Sequence, residues 1–364
     1  MLGRDVSSGR ADGMPLLRAG TGLTPGFKDA LTRAGVHAVY IEDEASCGID
    51  PRPLLSDETR AVAAAAVGHA FETAKEALAT GVPLDAGTVD QLEKIARRMA
   101  EEVAGADDAA LAIADLSTAD AYTLQHSINA AALGLLLGQR IFRDRGYFDY
   151  RGKQTWEKVD ARLTRLGVGL LLHDVGKLAI PGEILNKPGR LDPAEWAVMK
   201  THPIAGVDLL RSPLVSVLVK AIVRSHHERW DGEGYPDGKA DLEIHELARI
   251  AAVADVYDAA TSERVYARAR PAHEAVRIVR EGSGTAFDPE VVDVFSKLVA
   301  PFPAGASLVL ADGREGVVVR VPPADIDRPV VRILSDGEPY DLPLEVYPEI
   351  AIAGWEPAEA VTAG

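Results

Sequence analysis

Leu170-Leu171-Leu172-His173-Asp174-Val175-Gly176-Lys177 is the stretch on which the reading of this chain turns. Three leucines deliver a His–Asp pair into what the hydrophobicity marks as a protein interior. An isolated buried charge is very costly, so a carboxylate placed there needs a partner. Imidazole and carboxylate are both ligands of divalent metals, and an ion is one such partner. Lys177 lies one helical turn beyond the pair, and on a continuing helix it shares their face. The dipeptide alone equally fits a satisfied core histidine beside an exposed aspartate. The rest of the chain has to decide.

Five of the nine histidines fall on apolar segments in step with acidic residues. His126 sits in Tyr122-Thr123-Leu124-Gln125-His126-Ser127, and His202 in Met199-Lys200-Thr201-His202-Pro203. His226-His227-Glu228 close another apolar run, and Asp255 lies within Ala254-Asp255-Val256-Tyr257-Asp258. One polar, metal-type residue on each of several apolar helices is how a bundle builds a core metal site. Any one of them could be a satisfied core residue; the set together argues for a metal centre. Adjacent His226 and His227 would point roughly 100° apart on a helix. On that geometry they do not easily serve one ion, but from a helix end they could reach two.

The order His126, His173-Asp174, His202, His226-His227, Asp255, with Gly234-Tyr235-Pro236 in a loop, resembles the HD-GYP family of the HD phosphohydrolase superfamily. The segments Asn186-Lys187-Pro188-Gly189-Arg190-Leu191 and Thr261-Ser262-Glu263-Arg264 continue the pattern, and the likeness covers about residues 107–300. It implies a cyclic di-GMP phosphodiesterase that yields linear pGpG and, in many members, GMP. It implies one ion on His126, His173, Asp174 and Asp255, with Asp174 bridging to a second ion on His202, His226 and His227. A site of imidazole and carboxylate without thiolate suits two iron or manganese ions. Asp174 and Lys177 are the expected catalytic residues, Lys177 as a donor to the nucleophile or the phosphate. Gly234, Tyr235 and Pro236 are expected to close over the substrate, Tyr235 by stacking on a guanine or by packing the loop. Arg264 matches a phosphate-contacting arginine. Val265 and Ala267 depart from the family pattern there, and Arg268 is the candidate substitute. Some members hold a third ion through a Glu one turn before the first histidine; here that residue is Tyr122, which favours two ions. Two alternatives stay open: a phosphohydrolase acting on another cyclic dinucleotide or nucleotide, and a non-catalytic module that binds cyclic di-GMP.

Around this core the chain reads as mainly α, a helical HD-type bundle with small flanking modules. Residues 1–55 read as an α+β accessory module, with short strands near Leu16-Leu17 and Val36–Ile41 and a helix opened by Thr24-Pro25. Residues 56–106 read as two connecting helices, the first capped by Ser56, or as a hairpin through which two copies pair. Apolar periodicity predicts helices over 108–140, 157–178, 193–210, 213–227, 245–262, 271–281 and 288–299. Strand-like segments over 301–352 predict a small β domain, with turn signals at Asp312-Gly313 and Asp336-Gly337. Residues 353–364 are expected to be a disordered tail. His245 and His273 fall outside the metal pattern and are expected on the surface.

The net charge of −16 over 364 residues makes DNA and anionic membrane poor default partners. A nucleotide substrate then needs local charge reversal by ions or a few basic side chains. Cys47 is the single cysteine, so neither an intramolecular disulfide nor a thiolate zinc cluster can form within one chain. With no apolar signal core near the N-terminus and no run approaching the ~20 residues of a membrane helix, a cytoplasmic location is expected.

Overall fold

The computed structural model describes residues 1–3, 6, 15–33, 39, 41–43, 46–49, 53–105, 122–149, 151–262, 269–334 and 338–354. The chain is mainly α, as its periodicity predicts. In order come α1 (Pro25–Arg33), α2 (Asp57–Thr80), α3 (Ala86–Ala104), α4 (Tyr122–Arg145), a two-stranded hairpin of β1 (Tyr147–Phe148) and β2 (Gln154–Thr155), and α5 (Val159–Leu172). There follow α6 (Gly182–Leu185), α7 (Pro193–Met199), α8 (His202–Leu209), α9 (Val217–Ser225), α10 (Glu246–Thr261), α11 (Ala272–Glu281) and α12 (Pro289–Leu298). Local chemistry sets several boundaries. The Ser56 hydroxyl accepts from the Thr59 amide at the start of α2, and Gly81 ends that helix at φ 76°, where a side chain would be strained.

Two predicted helices are broken where the site needs them broken. The run over 157–178 stops as α-helix at Leu172 and tightens into a 3₁₀ turn over Val175–Ala179. There Gly176 packs directly on the backbone of α8, and a Cβ would lie 1.9 Å from the His202 carbonyl oxygen. The run over 193–210 divides into α7 and α8. Pro203, which has no N–H to donate, sits in the first turn of α8.

One hydrophobic core joins α4, α5, α9, α10 and α12 with Val67 and Phe71 of α2 and Leu92 and Met99 of α3. The helices over 57–104, expected as connectors, are thus built into the bundle. In α5, Leu163, Leu166, Leu170, Leu171 and Leu172 are all buried. At about 1.5–3 kcal/mol for each fully buried leucine, they hold in place a helix whose C-terminal end carries His173 and Asp174.

The C-terminal sheet comprises β3 (Ser307–Leu310), β4 (Glu315–Arg320), β5 (Val330–Ile333), β6 (Tyr340–Pro343) and β7 (Ile352–Gly354). Its strand order is β6-β5-β4-β3-β7, all antiparallel. It has its own apolar core, including Leu308, Leu310, Val318, Val331 and Ile333. Arg280 of α11 reaches Asp327 in this region at 2.8 Å. The predicted tail begins later than expected, because Ala353 and Gly354 belong to β7; residues 355–364 and the turn signal at Asp336-Gly337 lie outside the described residues. In the N-terminal segment the expected strands are represented, among the described residues, by the bridges Leu2↔Ile41 and Val6↔Leu17.

Candidate metal centre

Three of the seven expected ligands lie within helices: His126 on α4, Asp255 on α10 and His202 as the first residue of α8. His173 caps the end of α5, and Asp174 follows it with φ −96° and ψ 4°. His202 opens α8, and His226 ends α9 with His227 just beyond. The rings of His226 and His227 lie 4.1 Å apart between centroids, and both converge with His202, as the family resemblance implies for the second ion.

The ligand atoms form three overlapping groups, each with all its atoms within 4.8 Å of one another: His126, His173 and Asp255; His173, Asp174 and His226; and His202, His226 and His227. In the first, His126 Nε2 lies 3.1 Å from Asp255 Oδ1 and 3.2 Å from His173 Nε2. In the last, the Nε2 atoms of His202 and His226 are 3.3 Å apart. Asp174 spans them, with Oδ2 3.4 Å from His173 Nε2 and Oδ1 3.5 Å from His202 Nε2. All the expected ligands are buried except His227, which is partly exposed.

The donor set fits divalent cations. The Nδ1 atoms of His173, His202 and His226 approach the carbonyls of Leu170, Met199 and Val223 at 2.7, 2.9 and 2.9 Å. A carbonyl can only accept, so each Nδ1 carries the proton and each Nε2 presents a lone pair. Two such lone pairs facing each other, as in His202 and His226, repel unless a cation lies between them. Asp174 Oδ1 is buried with no hydrogen-bond partner among the described residues. Such an orphan costs about 1–3 kcal/mol unless something satisfies it.

The electrostatics agree. Burial opposes ionisation of Asp174, but Lys177, His173 and His202 outweigh it and hold the carboxyl well below the usual range. Asp255 is held low in the same way, by His126 above all. Burial drives His226 far down and His227 down to about 3, leaving both neutral and free to ligate. His126 is the exception. Burial opposes its charge, yet hydrogen bonds with Asp255 and Asp258 raise it to about 9.

Around the ligands, Lys177 Nζ donates to Asp174 Oδ2 at 2.6 Å, although no continuous α-helix joins them. The Tyr235 ring stacks on His227 at 4.7 Å and meets Trp196 edge-on at 6.3 Å. Burial first, then Asp255 and Asp174, push its phenol well above its usual pKa, so it stays a neutral hydroxyl. Gly234 folds back on the chain so closely that a Cβ would lie 2.3 Å from the Arg229 amide nitrogen. Pro236 follows Tyr235 through a cis peptide bond. Arg264 and Arg268 lie outside the described residues, as does the side chain of Tyr122.

Two residues that the sequence reading passed over stand beside the ligands. Asp258 Oδ2 accepts from His126 Nδ1 at 2.7 Å. Glu228, also buried, accepts from the amides of Asp237 at 2.7 Å and Lys239 at 3.1 Å, and so braces the loop carrying Tyr235. The available signal was a carboxylate at a buried position, one turn after Asp255 and one residue after His227. His245, expected on the surface, is instead partly buried and caps α10 by accepting from the Leu247 amide; burial, Arg162 and Arg249 lower it to about 4. His273 stacks on Phe302 at 5.5 Å.

Residues 151–291 match the family model described as an HD domain. That segment is an HD domain. With His173-Asp174 at its centre and Gly234-Tyr235-Pro236 in the loop after α9, it is of the HD-GYP type. A Pseudomonas aeruginosa protein named as a cyclic di-GMP phosphodiesterase is 38% identical over 261 residues, covering 70% of this chain and 59% of its own length. A Thermotoga maritima cyclic di-GMP phosphodiesterase is 44% identical over 139 residues, 37% of this chain and 38% of that one. A Vibrio cholerae 3′3′-cGAMP-specific phosphodiesterase is 38% identical over 133 residues, 36% of this chain and 29% of that one. The chain thus spans 59% of the Pseudomonas relative's length and less of the other two. Among the described residues no helix is long and apolar enough to cross a membrane.

Proposed function

We propose that this protein is a metal-dependent phosphodiesterase that hydrolyses cyclic di-GMP to linear pGpG. The observation that carries this reading is Asp174, whose two oxygens face two different clusters of histidine nitrogens. Such a carboxylate suits a pair of ions, with His126, His173 and Asp255 on one side and His202, His226 and His227 on the other. When bound, two such ions supply a water of lowered pKa and neutralise charge on the phosphoryl group. Iron or manganese fits a donor set of imidazole and carboxylate.

The chain's own residues have separable tasks. The water oxygen forms a bond to phosphorus, the bond from phosphorus to the 3′ oxygen breaks, and the 3′ oxygen leaves with a proton. Lys177, hydrogen-bonded to Asp174, is placed to donate to a phosphoryl oxygen and offset charge that the acidic chain would otherwise repel. Tyr235, packed on His227, keeps one side of the centre dry and offers a neutral hydroxyl. Arg264, with Arg268, is proposed as the phosphate clamp.

The test is incubation of the manganese- or iron-loaded protein with cyclic di-GMP, products being separated by chromatography. Release of pGpG or GMP that vanishes in His173→Ala and Asp174→Ala is the expected result. No product from a fully loaded protein sinks the proposal. A parallel incubation with 3′3′-cGAMP decides the second reading, which the Vibrio relative favours. Faster turnover of that substrate would reassign the preference.

A further inference from the structure

The histidines of the centre are oriented in two different ways, and the difference follows from where they sit. An α-helix leaves its last four carbonyls without an intrahelical partner. Leu170, Met199 and Val223 lie in the final turns of α5, α7 and α9, and their carbonyls receive the Nδ1 protons of His173, His202 and His226. His126 lies within α4, where the carbonyls of the preceding turn serve the helix itself. Its Nδ1 proton goes across the bundle to a carboxylate, Asp258, at 2.7 Å. Asp258 is buried, and Ser262 Oγ donates to the same oxygen at 3.2 Å. One turn separates Asp258 from Asp255 on α10, so a single helix face supplies both a ligand and the brace of its neighbouring ligand.

We propose that Asp258 is a positioning residue that locks the His126 imidazole with its proton on Nδ1 and so sets the ion affinity of the His126–His173–Asp255 half of the centre. The inference rests on the reading of these residues as metal ligands. A charged acceptor on the far nitrogen makes the near nitrogen a better donor to a metal, and loss of such a partner weakens affinity by about 10–100-fold. The three carbonyl-braced histidines have no such charge behind them. The half containing His126, with Asp255 in it and Asp258 behind it, therefore holds its ion more tightly than the half built from His202, His226 and His227.

The experiment uses the chelator-stripped protein titrated with Mn²⁺, with bound metal measured by equilibrium dialysis and elemental analysis. The ¹⁵N NMR shifts of the His126 ring, recorded on the metal-free protein at alkaline pH where the ring is neutral, report its tautomer. Wild type is expected to bind in two steps. Asp258→Ala should weaken the tighter step by about 10–100-fold, leave the weaker one unchanged, and lose the fixed Nδ1–H tautomer of His126. Asp258→Asn keeps the shape of the side chain, and carries the test if the alanine variant does not fold. It should restore part of the affinity through its amide oxygen. Wild-type affinity in both variants, with the His126 tautomer retained, overturns the role of Asp258 and leaves the metal centre standing. Wild-type protein that takes up no Mn²⁺ overturns both.

Discussion

The HD-type domain and the C-terminal sheet bury very different things. The sheet's core is wholly apolar among the described residues: Leu308, Leu310, Val318, Val331, Ile333 and their neighbours. The helical domain is just as well packed, yet it buries His126, His173, Asp174, His202, His226, Glu228, Asp255 and Asp258. Both regions gain stability from apolar burial. Only the helical domain uses part of that stability to hold polar groups away from water, and that is where chemistry is expected.

The largest expected effect tests that contrast. Asp174→Ala removes the carboxylate shared by the two histidine clusters and should lower turnover on the order of a thousandfold, the equivalent of several kcal/mol of transition-state stabilisation. Product chromatography, with elemental analysis of bound metal, checks it. Ile333→Ala does the reverse. It should cost about 2–5 kcal/mol of stability in the sheet, read by denaturant unfolding, with metal content and turnover of the folded protein unchanged. A loss of bound metal in that variant would show that the two regions are not separable.

Next comes pH. With His126 raised to about 9 in the metal-free centre, loading at neutral pH must displace its proton. Ion uptake should therefore release about one proton, and affinity should rise about tenfold per pH unit until it levels off near pH 9. Calorimetric titration in buffers of different ionisation enthalpy counts that proton. By the same sign, His126 contributes stability to the metal-free protein that is fully present below its unfolded value near 6.5 and fades as pH rises through about 9. The smallest effect concerns the loop. Glu228→Gln replaces one of two acceptors with a donor facing an amide N–H, and should raise KM several-fold while leaving the metal content unchanged.

Much of this was legible in advance. Periodicity placed most of the helices, the strand-like runs over 307–334 placed β3, β4 and β5, and the spacing of His126, His173-Asp174, His202, His226-His227 and Asp255 picked out residues that do converge. What escaped the sequence were helix ends. A period of 3.6 residues continues through Leu172 into Lys177 as readily as it stops. Only the backbone of α8 against Gly176, where a Cβ would meet the His202 carbonyl, shows why it stops.

By itself, the sequence determined which side chains are present and in what order: apolar surface enough to build a mainly helical bundle, and a set of imidazoles and carboxylates too costly to bury unpaired. The tertiary structure alone decided which nitrogen of each histidine faces the centre. That choice depends on which acceptor lies behind the ring. For His173, His202 and His226 it is a carbonyl left over at a helix end, and for His126 it is a carboxylate 132 residues further along the chain. Neither kind of acceptor is visible until the helices have ended and packed.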